Sequence, residues 1–314
     1  MRRGKVLKNR YLFIVTIVIF TLITLAGGCG SSGKSDTVSD KNLNDENSIY
    51  PIILEDQMSR KVTIPKKPER IISLAPSNTE ILFCLGLGDK VVGVTNFCDY
   101  PEEVKAIQKI GDYSEPNMEQ IIALEPDLVL ATAFQEEQVK QMEKLNIPTL
   151  VIEPATIDEM LDESIYLVGK AAGAEEKASE VRESLKERVS DVLSKTNNIS
   201  ESERPIVFYE LYPSPIMTAG PGTFIDEIIW MAGGLNLAHD AESSYPEYSQ
   251  EMIIAKNPDI ILYSHHGTAK DNPEQIINRP GWQNVKAIKN GKVFYIDGNI
   301  IQRTTPRLID ALEQ

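Results

Sequence analysis

The chain has 314 residues, 42% of them hydrophobic and 25% charged, with a formal net charge of −14. That is enough apolar material for two domains, and the acidic balance argues against a general basic surface for nucleic acid or anionic lipid. Three cysteines with no CxxC pair and no metal-ligand spacing exclude a disulfide scaffold or a zinc module.

Arg2, Arg3, Lys5, Lys8 and Arg10 precede an apolar stretch, Tyr11 to Ala26, broken only by three threonines. The stretch is short for a membrane span, which takes about 20 residues. Ala26-Gly27-Gly28 then leads into Cys29. This is the order of a secretory signal peptide over residues 1–28. The small residues ahead of Cys29 resemble a bacterial lipobox, with Ala26 where leucine is usual, so Cys29 is expected to carry a lipid. A cleaved signal with a chance cysteine and an uncleaved anchor are the alternatives. Loss of residues 1–28 removes five basic and no acidic side chains and takes the charge from −14 to −19. Residues 29–48 are polar and rich in Ser, Asp, Asn and Lys, which predicts a lipid-anchored disordered tether.

From Arg70 strands and helices alternate. Arg70–Leu74 reads as a strand, and Ser77 opens a helix with Glu80 placed to close a capping box. Gly86 ends that helix. Strands follow at Val91–Val94, Asp127–Ala131 and Thr149–Ile152, separated by helices at Met118–Leu124 and Gln135–Leu145. That spacing implies a parallel α/β sheet. Cys84 sits in an apolar run and reads as a core thiol, and Cys98 lies in a loop, where a pairing with Cys84 stays open.

Between Ile157 and Asn197 only Gly169 and Gly173 interrupt helical patterning. Ala174, Ala178, Val181, Leu185, Val189 and Val192 form one apolar stripe, the mark of a long helix acting as a strut between two domains. After Arg204-Pro205 the alternation resumes, with strands at Ile206–Tyr209, Asp259–Tyr263 and Val293–Ile296 and helices at Phe224–Ala232 and Gln250–Lys256. Glu119–Ala131 and Glu251–Tyr263 echo each other, each a helix, a Pro-Asp break and an apolar strand. The expected architecture is therefore α/β: two similar lobes with mainly parallel sheets, joined by one long rigid helix. The boundaries are an N-terminal lobe over 49–156, a linking helix over 157–203 and a C-terminal lobe over 204–314. Two lobes facing across a cleft suit a solute.

Several motifs occur in order: Ile72-Ser-Leu-Ala-Pro-Ser-Asn-Thr-Glu80, Val92-Gly-Val94, Asp99-Tyr-Pro101, Ile121–Val129, Ala232-Gly-Gly-Leu-Asn236, Arg279-Pro-Gly-Trp282 and Thr304-Thr-Pro-Arg307. With the lipoprotein start, they resemble the vitamin B12 and ferric-siderophore binding proteins of ABC importers over about residue 49 to the C-terminus. Members of that family carry a longer final helix than the residues after Arg307 would build. The resemblance implies an exported monomer, lipid-anchored to the outer face of the cytoplasmic membrane. Its partners would be an ABC permease dimer with its ATPase and a small metal chelate as cargo, without nucleic acid or a resident cofactor. A corrinoid is the first expectation, and a ferric siderophore or haem the second. One glutamate on each lobe would meet permease arginines, and the matching residues are Glu80 and Glu251. Helix N-terminal chemistry explains the same two positions.

By motif position the ligand would meet Phe97, Tyr113, Tyr245 and Arg303. Aromatic side chains suit a flat macrocycle, and arginine a carboxylate, phosphate or carbonyl. The family's B12 binders often have tryptophan where Tyr113 and Tyr245 stand. Trp230 and Trp282 read as packing residues, and His265-His266 as a loop facing solvent. An exported α/β hydrolase is the distant alternative, but the chain has neither a G-x-S-x-G elbow nor a phosphate loop. A rigid strut further implies small lobe closure on loading.

Overall fold

A computed structural model of the chain describes residues 49–265 and 272–314. The signal peptide, Cys29, the tether and His266 lie outside the described residues. A hairpin not anticipated from sequence comes first, β1 (Ile52–Glu55) against β2 (Lys61–Ile64), antiparallel. The buried Asp56 carboxylate closes its turn by accepting from Met58 N and Arg60 N. It also accepts from Val151 N at 3.0 Å, which ties the hairpin to the sheet beside it.

That sheet has the order β4-β3-β5-β6 and is parallel throughout, made of β3 (Ile71–Ser73), β4 (Val91–Val94), β5 (Leu128–Ala131) and β6 (Thr149–Val151). All four residues of β5 are buried, as a central strand covered on both faces requires. Helix α1 (Pro76–Cys84) starts two residues earlier than expected, with Ala75 rather than Ser77 at the N-cap. Pro76 sits where the missing N–H costs nothing, Ala75 precedes the helix, and no side chain caps it. The Ser77–Glu80 capping box is therefore absent. The equivalent chemistry appears instead at Thr132 and Gln135, ahead of α3 (Glu136–Lys144). Gly86 does end the turn after α1, at φ +71°. Helix α2 (Met118–Ala123) is capped by the Asn117 side chain.

The expected single helix over 157–203 is instead a helical hairpin. A short α4 (Ile157–Glu159) runs through a π-helical turn into α5 (Ile165–Ala172), which Gly173 ends at φ +66°. The chain then reverses into α6 (Glu175–Thr196), 22 residues and about 33 Å long. Gly169 lets the two helices touch, because a Cβ there would sit 2.4 Å from the Ala178 methyl. Helix α5 thus packs on the N-terminal lobe, and α6 alone forms the link.

The second lobe repeats the first. Strands β7 (Ile206–Glu210), β10 (Leu235–Asn236), β11 (Ile260–Tyr263) and β12 (Val293–Tyr295) form a parallel sheet of order β10-β7-β11-β12. Between them lie the small antiparallel pair β8 (Tyr212–Pro213) and β9 (Ile216–Met217), helix α7 (Phe224–Met231) and helix α8 (Gln250–Lys256). Short helices α9 (Glu274–Ile277), α10 (Lys286–Lys289), α11 (Gly298–Ile301) and α12 (Leu308–Glu313) complete it. The internal echo holds atom by atom. Glu125 and Asn257 both adopt positive φ, +45° and +50°, before the Pro-Asp step. Asp127 then accepts from Glu69 N and Arg70 N at the start of β3, and Asp259 accepts from Ile206 N at the start of β7.

The last helix crosses back. Leu308, Ile309 and Leu312 join one apolar cluster with Ile81, Leu82, Leu185 and Val189, so the first lobe's core is completed by the end of the chain. Among the described residues Cys84 and Cys98 are both free, and Cys98 is buried with its Sγ 3.2 Å from Thr79 Oγ1. Among the described residues no helix is long and apolar enough to cross a membrane. Replacing Asp127 or Asp259 by alanine strands backbone N–H groups at a strand start. Each change should cost roughly 0.5–1.5 kcal/mol in chemical unfolding, since water can reach the freed N–H groups, with Asp127, which serves two of them, the costlier.

Candidate functional site

A cavity of about 880 Å³ opens where the strands of the first sheet end. Ser77 follows β3, Asn96 and Phe97 follow β4, Thr132 and Phe134 follow β5, and Glu153 follows β6; all line it. This is the end at which parallel α/β sheets place ligands. The opposite wall comes from the second lobe: Asn299 in α11, and Gln302, Arg303 and Thr304 just beyond.

Its apolar face is aromatic. Tyr113 and Phe134 stack with ring centroids 5.3 Å apart and planes inclined by 14°. Phe134 is 64% exposed and Phe97 55%, a large apolar area left facing the opening. The Tyr113 hydroxyl is 3.0 Å from Thr132 Oγ1. Burial pushes its pKa up; the Thr132 hydrogen bond opposes that and the nearby Glu153 adds to it, so the phenol stays neutral. Phe134 was not singled out from sequence, because it lies in the turn between strand and helix and carries no motif.

Arg303 is in the cavity wall but is not free. Its Nη1 lies 2.8 Å from Asp99 Oδ1 and 3.3 Å from Glu80 Oε1. Glu80 is the buried centre of this group. Its carboxylate, 3% exposed, takes a bidentate pair from Arg307 at 2.7 and 2.5 Å. The Arg307 guanidinium stacks on the Tyr100 ring at 3.8 Å. Burial lowers the Arg307 pKa, and the Glu80 hydrogen bonds and charge outweigh it to give a net rise. Glu80 is therefore no open carboxylate for a partner, contrary to the expectation that it docks a permease. The SxxE spacing suggested a local cap, whereas its partners stand 223 and 227 residues away.

Glu251 is exposed in the first turn of α8. Its counterpart in the repeat is Glu119, exposed in the first turn of α2. Tyr245 is 47% exposed and stands outside the cavity lining, so the structure brings together three of the four expected ligand residues and not this one.

Trp282 packs in the second lobe as expected, fully buried with its indole N–H donating to Gln250. Two other expectations change. Trp230 is 46% exposed rather than core, and the Arg204 guanidinium lies 3.8 Å from its ring centroid. His265 does not face solvent. It is 2.8 Å from the fully buried Glu210 carboxylate, which also pairs with Arg279. Among the described residues no three His, Cys, Asp or Glu side chains converge on a metal-sized site.

The family model for periplasmic binding proteins matches residues 71–300. The chain is 36% identical over 295 residues to YvrC of Bacillus subtilis (strain 168), an uncharacterized ABC transporter substrate-binding lipoprotein, covering 92% of this chain and 91% of that one. It is 31% identical over 254 residues to a vitamin B12-binding protein of Vibrio cholerae, with 80% and 88% covered. Among solved structures, a possible iron-binding periplasmic solute-binding protein of Staphylococcus epidermidis superposes with a TM-score of 0.70. The two are 32% identical, with 79% of this chain and 97% of that one covered.

The buried Glu210 cluster sets an acid dependence. Burial raises its pKa, but the hydrogen bonds and charges of His265 and Arg279 outweigh that and hold it below the ordinary value of 4.5. A depressed carboxyl pKa gives stability that is present above about pH 4.5 and lost as pH falls through the folded value. Glu210→Gln should therefore be less stable than the parent at neutral pH. The gap should narrow below pH 4.5 in unfolding titrations.

Proposed function

Because the chain belongs to the periplasmic binding protein family, we propose that it captures a corrinoid outside the cytoplasmic membrane and delivers it to an ABC importer. The observation that carries this reading is the aromatic wall of Phe97, Tyr113 and Phe134 on a cavity of about 880 Å³. That volume sits high in the usual range of roughly 300–1,000 Å³ for small-molecule sites. A broad, apolar, rigid face fits the plane and edge of a metal macrocycle at little cost in side-chain entropy. The vitamin B12-binding relative supports the same solute class. The reading makes the cleft a binding site without catalysis: Ser77 lines it, and among the described residues no histidine does.

A ferric siderophore or haem is the second reading, favoured by the possible iron-binding protein of similar fold. Titration with cyanocobalamin, a ferric hydroxamate and haemin separates the two. Cobalamin should bind tightly with a shift of its visible bands. Tight binding of the hydroxamate or haemin alone would reverse the order.

The lipid on Cys29 belongs to the same proposal, supported by the lipoprotein relative. So does docking to the permease and its ATPase. We assign docking to Glu119 and Glu251 in place of Glu80. The support is positional: the two are equivalent in the internal repeat, both exposed, both in a first helical turn. Reversing both charges to lysine should abolish binding to the reconstituted permease and leave solute affinity within about twofold, since neither touches the cavity. Transport at the parental rate in the double variant would refute the assignment.

A further inference from the structure

The described residues bearing full charges on the cavity wall are Asp99, Glu153 and Arg303, two anions and one cation. The cation is already spoken for. Arg303 Nη1 sits between Asp99 at 2.8 Å and Glu80 at 3.3 Å, and the side chain is only 16% exposed. Asp99 follows β4 in the first lobe and Arg303 follows α11 in the second, so the contact spans the mouth of the cleft. The remaining polar groups on the wall, including Asn96, Asn299, Gln302 and Thr304, are uncharged.

We propose that the cleft selects a metal chelate without net negative charge, and that Arg303 is a clasp between the lobes rather than an anion receptor. An anionic periphery would have to take Arg303 from two carboxylates. Glu80, 3% exposed, would then lose one of its two guanidinium partners, and separating one member of such a buried group is costly. Left where it is, Arg303 offers little attraction, and Glu153 meets the same periphery as a like charge. The chain's charge of −14 adds repulsion on approach, screened beyond about 8 Å at physiological salt. Amide, hydroxamate or hydroxyl groups lose nothing here, because neutral donors and acceptors face them. The selection works by refusal as much as by fit.

This inference rests on the solute-binding reading, and matched ligands separate the two. Calorimetric titration of the full chain would use three pairs of nearly equal shape. They are cyanocobalamin and its derivative with peripheral amides hydrolysed to carboxylates, haemin dimethyl ester and haemin, and ferrioxamine and its succinylated form. In each pair that binds, the member without carboxylates should bind at least ~10-fold tighter, equivalent to about 1.4 kcal/mol. Glu153→Gln and Asp99→Asn should each narrow that ratio, with thermal melts establishing that both variants are folded. A carboxylate-bearing member that binds as tightly as its partner overturns the charge selection and leaves solute binding intact. An unchanged ratio in both variants overturns it too. If no member of any pair binds, the solute-binding reading and this inference fall together.

Discussion

The Glu80 carboxylate, nearly sealed from water and gripped by Arg307 and Arg303, is the contact on which the rest of the molecule turns. A buried carboxylate is tolerable only with its lone pairs answered, and here two guanidinium groups answer them. Because Glu80 comes from α1 and both arginines from the segment between α11 and α12, the pairing locks the end of the chain onto the first lobe. Arg307 is further fixed by the Tyr100 ring beneath it. The lobes are thus joined by α6 and also by this ionic seam with the apolar contacts of α12. Two connections restrain a hinge more than one does.

The seam also decides the character of the site. The first lobe supplies the aromatic face and most of the wall, while the second contributes a short rim of neutral side chains and Arg303. With Arg303 turned toward Asp99, shape and apolar area dominate recognition, and charge acts mainly as a filter. The stack of Tyr113 on Phe134 is held by the Thr132 hydroxyl at one end and open at the other.

Much of the fold was legible because its signals are local. Apolar runs bounded by glycine and proline marked all four strands of the first sheet, and the stripe from Ala178 to Val192 marked α6. The echo between residues 119–131 and 251–263 was readable as a repeat, and the matching aspartate contacts supply its reason. What failed depended on distant partners. Glu80 looked like a cap because its arginines are more than 220 residues away, and His265 looked exposed because Glu210 lies 55 residues earlier. Trp230 stands three and four residues after Glu227 and Asp226, on the polar face of α7, a spacing the apolar run Ile228–Met231 masked; Arg204 covers the ring instead. The linking helix was drawn over 157–203 although its apolar stripe begins only at Ala174, the N-cap of α6; the left-handed turn at Gly173 divides the segment. Phe134 had no pattern to betray it.

The return of α12 has a consequence for how the protein comes into being. The first lobe needs Leu308, Ile309 and Leu312 in its core, and Glu80 needs an arginine made 227 residues after it. Chains are synthesised from the N-terminus, and most domains finish in that order. Here the core of the earlier lobe takes in side chains made after the second lobe's sheet. The contacts that close the first lobe are thus made late, and a chain broken off before residue 303 lacks both the arginines of Glu80 and three of that core's side chains.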